Sequence, residues 1–86
     1  MKKFVKISHN GGKDAKVILA NNRYEAVGFY LWEEVLSVVA ESLDSVEILS
    51  PDFIVHQLTS DDRTLEQIWQ EKDDWSSPQT IVNLLK

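Results

Sequence analysis

The sequence predicts a small α+β domain. It combines a small antiparallel β-sheet (an N-terminal hairpin or three-stranded meander plus one or two later strands) with an amphipathic helix and two short C-terminal helices. Three observations point to this class: an Asn-Gly turn between two β-rich runs, a helical apolar period from Leu31 to Leu43, and β-branched runs after residue 45. The 86 residues form a single compact domain, 1–86, because chains rarely divide into separate cores below about 200 residues.

The first two strands form a hairpin. A run from Phe4 to Ile7 and a second from Ala15 to Ala20 flank the turn, and Asn10-Gly11 supplies two positions that tolerate positive φ. The chain between residues 23 and 30 has two interpretations. Either it is a third strand of a meander, which we favour slightly, or Asn22 caps a helix with Glu25 completing a capping box.

A helix is predicted from Leu31 to Leu43, and its two sides differ sharply. At about 100° per residue, one broad side collects the apolar residues Leu31, Trp32, Val35, Leu36, Val39 and Leu43. The opposite side collects the acids Glu33, Glu34, Glu41 and Asp44. The apolar side, Trp32 included, is expected to face the core.

The remaining chain contains two β-rich runs and two short helices. The runs are 46–49 and 53–58, interrupted by Ser50-Pro51-Asp52. One helix is predicted over 64–72. Ser77-Pro78 resembles an N-cap followed by proline at the first helical position, which predicts a second helix ending at Leu85. We expect the helices to pack on one face of the sheet.

Charge is divided unevenly along the chain. Residues 1–23 contain six Lys or Arg and one Asp, a net charge of +5, whereas residues 24–86 contain three against thirteen, a net charge of −10. No Lys or Arg occurs between Tyr24 and Asp62, so no local cation offsets the acidic helix face. This face is either the solvated side of an ordinary amphipathic helix or a docking surface for a basic partner.

Several function classes lack their characteristic residues. The sequence has no Cys, no P-loop, no dinucleotide fingerprint, no serine-nucleophile motif and no Ca²⁺ loop, and its two histidines have no metal spacing. We therefore expect no enzyme, no cofactor and no metal. No apolar run approaches the roughly 18 residues of a membrane span, and a cytoplasmic location is the default expectation.

The function we predict is protein binding by a small acidic, non-enzymatic module. Its partner would have a basic surface, and small acidic inhibitors of nucleic-acid-handling proteins from phages or mobile elements offer an analogy in size and charge. The expected partner-binding residues are Glu33, Glu34, Glu41, Asp44, Asp73, Asp74 and Trp75. A homodimer through an exposed sheet edge is also expected.

Nucleic-acid binding by the N-terminal hairpin is the alternative. It would use the basic residues Lys2, Lys3, Lys6, Lys13, Lys16 and Arg23. A sequence pI near 4.8 opposes the long-range attraction to phosphate on which such binding depends, so we place this function second.

Overall fold

The computed structural model describes residues 2–9, 11, 14–34, 43–55, 62–72 and 76–85. Their elements are the strands β1 (Lys3–His9), β2 (Asp14–Ala20), β3 (Leu43–Leu49), β4 (Ile54–Val55), β5 (Arg63–Thr64) and β6 (Gln79–Leu85), and the helices α1 (Arg23–Phe29) and α2 (Leu65–Gln70). A π-helical segment, Tyr30–Glu34, directly continues α1. These elements confirm the α+β class.

The main sheet has four antiparallel strands in the order β3-β1-β2-β6. The predicted hairpin is confirmed as β1 and β2. Its strand pairing ends at His9 opposite Asp14, so the connection is four residues long rather than the tight two-residue turn expected at Asn10-Gly11. Gly11 has φ of 68°, the left-handed conformation that glycine adopts at least cost.

Residues 23–30 are helical, so the slight preference for a third meander strand was wrong. Asn22 caps α1, and its side chain accepts a hydrogen bond from the Glu25 amide at 2.8 Å. The Glu25 carboxylate in turn accepts from the Asn21 amide at 3.3 Å. Ala26 and Tyr30, four positions apart, are both fully buried against the sheet, and this packing decides for the helix.

The predicted helix from Leu31 to Leu43 does not have those bounds. The π-helical segment holds residues 30–34, and Leu43 is already the first residue of β3. Residues 35–42, including Glu41, lie outside the described part of the chain. Asp44 therefore belongs to a strand and does not share a helical face with Glu33 and Glu34.

Apolar clusters cover both faces of the sheet, which corrects the expectation that the helices share one face. One cluster contains Phe4, Val17, Leu19, Val55, Leu65 and Ile81. The other contains Val5, Ile7, Ile18, Ala20, Ala26 and Tyr30. Consecutive residues of β1 and β2 are buried, and because neighbouring side chains in a strand point to opposite faces, both faces need a cover. Helix α1 covers one face, and α2 with Val55 of β4 covers the other.

Residues 79–85 form β6, so the helix predicted from Pro78 to Leu85 was wrong. Strand β2 is apolar on both faces, and pairing with β6 satisfies its backbone groups on the side away from β1. The register shifts between Val17 and Ile18, leaving Ile81 without an opposite residue, and this bulge lets Ile81 and Val82 contact the same apolar cluster.

The short C-terminal helix predicted over 64–72 is confirmed as α2. Thr64 begins it with a full capping box: its hydroxyl accepts from the Gln67 amide at 3.1 Å, and its own amide donates to the Gln67 side chain at 2.9 Å. Trp69 packs edge-on against Phe4, with ring centroids 6.1 Å apart, and thereby attaches α2 to the sheet. Of the predicted run 53–58, residues 54 and 55 form β4, paired with β5.

Candidate functional site

Part of the uneven charge of the sequence becomes a difference between the two ends of the sheet, although Glu25 lies at the same end as the first lysines. Strand β1 begins, and β2 finishes, at the end where α1 starts. We call this the basic end, defined by Lys2, Lys3 and Arg23. The opposite end, where the π-helical segment follows α1 and β3 begins, is the acidic end, defined by Glu33, Glu34 and Asp44.

A hydrogen bond holds the acidic end together. The Tyr30 hydroxyl bonds to His9 Nδ1, and the two rings meet edge to face with centroids 5.6 Å apart. His9 ends β1 and lies opposite Leu43, the first residue of β3. Tyr30 is fully buried, so the contact fixes the start of the π-helical segment beside the start of β3.

Trp32 is the exposed apolar side chain at this end. It lies two residues beyond Tyr30 and is 77% exposed, the largest value among the exposed large hydrophobic residues of the described chain. The expectation that it faces the core was wrong. Leu31 packs against the apolar cluster under α1, whereas the next residue, Trp32, is exposed. An α-helical period does not describe this π-helical segment, so the sequence pattern did not separate the two residues.

Asp44 is exposed and occupies a β-bulge. Ser8 pairs with Ser45 and His9 pairs with Leu43, so Asp44 is the extra residue between them. The hydroxyls of Ser8 and Ser45, 2.7 Å apart, anchor the strand immediately after the bulge. Strand β3 therefore presents Asp44 at the acidic end from a fixed position.

The other predicted site residues stand as follows. Glu33 and Glu34 have their backbone in the π-helical segment. Glu41, Asp73, Asp74 and Trp75 lie outside the described residues, so their part in any surface stays a prediction. The structure thus brings the backbones of Glu33 and Glu34 to the same end of the sheet as Asp44 and Trp32.

The basic residues of the hairpin do not form one patch. Lys6 belongs to the sheet face covered by α2, whereas Lys16 belongs to the α1 face and donates to Asn83 at 2.5 Å. Lys2 donates to Asn21 at 2.9 Å, and the Arg23 guanidinium lies 5.4 Å from the ring centroid of Tyr24. Lys13 lies outside the described residues; among the described cations of the hairpin, only those at the basic end are grouped together.

Within the described ranges, no three His, Cys, Asp or Glu residues are grouped so that they could hold a metal ion. No described helix is both long and apolar enough to cross a membrane. Comparison with known proteins supplies no relative: no family model, no curated protein and no solved structure matches this chain.

Proposed function

We propose that this chain is a non-enzymatic protein-binding module and that its acidic end contacts a basic surface of another protein. The observation that carries the proposal is the 77% exposure of Trp32 directly beside the Glu33-Glu34 pair. Tryptophan is enriched among the residues that contribute most to protein–protein affinity, because a large rigid ring buries much area at little entropic cost.

The local backbone supports this assignment. Trp32 lies within a π-helical segment, a rare conformation that is frequently found at functional sites. Buried Tyr30, which is hydrogen bonded to His9, anchors the first residue of this segment on the sheet. The backbone that carries Trp32 is therefore held in one position. Such preorganisation reduces the conformational entropy lost on binding.

The acidic residues that follow Trp32 in the chain, and Asp44 at the same end of the sheet, indicate the chemistry of the partner. Glu33, Glu34 and Asp44 would attract a surface rich in Lys or Arg and would orient it before contact, while the ring of Trp32 supplies affinity at the centre. A nucleic-acid-handling protein has such a basic surface, and an acidic module that covers it acts as an inhibitor. The proposed role as an inhibitor rests on the negative charge and the small size of this chain.

A capture experiment tests the proposal. Immobilised wild-type chain, Trp32→Ala and Tyr24→Ala are incubated with nuclease-treated lysate, and the retained proteins are quantified. Tyr24 is the matched control, since it is 75% exposed but lies at the basic end. We expect wild type and Tyr24→Ala to retain the same basic proteins in equal amounts. We expect Trp32→Ala not to retain them. Equal retention by all three chains would overturn the proposal.

Single-stranded nucleic-acid binding at the basic end is the second candidate. The observation that favours it is the Arg23–Tyr24 pair, a cation over an exposed aromatic ring of the kind on which a base can stack. The net charge of −5 works against it. The same capture experiment without nuclease distinguishes the two candidates. If the chain binds nucleic acid, proteins that depend on nucleic acid are then retained, and Tyr24→Ala loses them whereas Trp32→Ala does not.

A further inference from the structure

Strand β3 is an edge of the main sheet. Among the described residues it pairs with β1 alone, so the backbone groups on its other side face away from the sheet. It also carries Ile48, which is 53% exposed. An edge strand with an exposed apolar side chain is the usual template for adding a further strand.

The opposite edge, β6, is a poorer template. The bulge at Ile81 interrupts it in the middle, and Pro78 precedes its first residue. Bulges and prolines are the devices by which natural sheets prevent edge pairing. In β3 the bulge lies at Asp44, next to the first residue, which leaves Ser45–Leu49 as an uninterrupted stretch.

We infer that the occupant of this edge is a second copy of the same chain, paired antiparallel through β3 about a two-fold axis. The charge distribution supports this occupant. A shallow cavity of about 160 Å³ beside the end of β3 is lined by Lys2 and Lys3 together with Ile48. Antiparallel pairing brings Asp44 of each copy towards these lysines of the other copy, twice per dimer. Asp52, in the adjacent turn, only partly offsets this positive charge.

Among two-fold axes at Val46, Glu47 and Ile48, the side chains of β3 favour one. A two-fold axis at Glu47 would place Glu47 opposite its own copy, and like charges directly opposite each other destabilise a sheet. An axis at Ile48 would place Pro51, which has no amide hydrogen, opposite Ser45. An axis at Val46 avoids both faults. It pairs Ser45–Glu47 of the two copies directly, with Glu47 opposite Ser45, and it places Ile48 near the bulged Asp44 of the second copy.

Cysteine cross-linking tests this register, because the natural chain contains no cysteine. In Val46→Cys the two cysteines face each other across the axis. Their Cα atoms are about 4.5–5.5 Å apart, a separation that a disulfide spans. In Glu47→Cys the thiols are diagonal, with Cα atoms about 8 Å apart, too far for a disulfide. We expect a disulfide-linked dimer from Val46→Cys and a monomer from Glu47→Cys under mild oxidation. Since Glu47 is exposed and Val46 half-buried, faster cross-linking of Glu47→Cys would overturn the proposed register.

Sedimentation velocity of the full chain tests the dimer itself. A contact of one short strand is small, so we expect a weak dimer whose population increases with protein concentration and decreases with added salt. Ile48→Glu places a second acid near Asp44 and should abolish the dimer, whereas Ile48→Lys should retain it. A monomer at every concentration up to about 1 mM, or equal effects of the two substitutions, would overturn the proposal. Trp32→Ala should leave the dimer unchanged, so failure here is separate from failure of the proposed function.

Discussion

The Tyr30 hydroxyl is hydrogen bonded to His9 Nδ1, and this contact joins the C-terminal end of α1 to the last residue of β1. Tyr30 is fully buried, and its ring also packs edge-on against the imidazole. The contact therefore sets the position of the π-helical segment that follows. The position of Trp32 depends on this contact, because Trp32 is only two residues further along the chain.

Removing the Tyr30 hydroxyl should destabilise the fold. We expect Tyr30→Phe to lower the free energy of unfolding by about 1 kcal/mol, since it leaves the packing intact and deletes one part-buried hydrogen bond. Urea unfolding measures the change. In a His9→Ala background the same substitution should cost clearly less. An equal cost in both backgrounds would show that the hydroxyl contributes through other contacts.

The N-cap of α1 should also contribute measurably. Asn22→Ala removes the acceptor for the Glu25 amide, and we expect a loss of about 1 kcal/mol in unfolding free energy. Asn22→Asp keeps a capping oxygen and serves as the matched control, with little loss. If the two variants unfold at the same urea concentration, then the cap does not hold the start of α1.

Burial on both faces of β2 predicts that neighbouring residues are equally sensitive to truncation. Ile18 faces α1 and Val17 faces α2, and both are fully buried. We expect Ile18→Val to cost about 1 kcal/mol and Val17→Ala about 2 kcal/mol in unfolding free energy. Ile48→Val, at a half-exposed position, should be nearly neutral. A neutral result at either Val17 or Ile18 would mean that one face of the sheet is open to solvent.

Because the lysines of the hairpin are scattered, we expect the chain to bind single-stranded nucleic acid too weakly to detect at physiological salt. Lys6 and Lys16 lie on opposite faces of the sheet, so few cations can follow one phosphate backbone. Fluorescence anisotropy with a labelled oligothymidylate should show no binding at about 0.15 M salt. Tight binding there, lost in Lys3→Glu, would favour the basic end as the working surface.

The sequence predicted the elements whose signals are local. The two β-rich runs and the Asn-Gly between them indicated the β1–β2 hairpin, and the periodic apolar residues after Thr64 indicated α2. Asn22 and Glu25 already offered the alternative that the structure adopts, but the strand and helix patterns of residues 23–30 are nearly balanced. Burial of Ala26 and Tyr30 on the sheet decided between them, and a single sequence does not display that contact.

Strand β6 and Trp32 were missed for a different physical reason. Ser77-Pro78 is a good start for a helix, but β2 needs a second pairing partner, and that demand arises only once the sheet exists. Trp32 was assigned to the core because an α-helical period was applied to residues that form a π-helical segment. The acidic residues that follow Trp32 were chosen as candidates from the sequence alone, because the absence of Lys and Arg between Tyr24 and Asp62 is visible there.

Chemical-shift mapping with a captured basic partner tests the acidic end most directly. The amide resonances of the ¹⁵N-labelled chain are followed as the unlabelled partner is added. We expect the largest changes at Leu31–Glu34 and at Leu43–Asp44, together with the indole resonance of Trp32, and we expect them to diminish with salt. Changes confined to Lys2, Lys3 and Arg23, with Trp32 unaffected, would contradict the account.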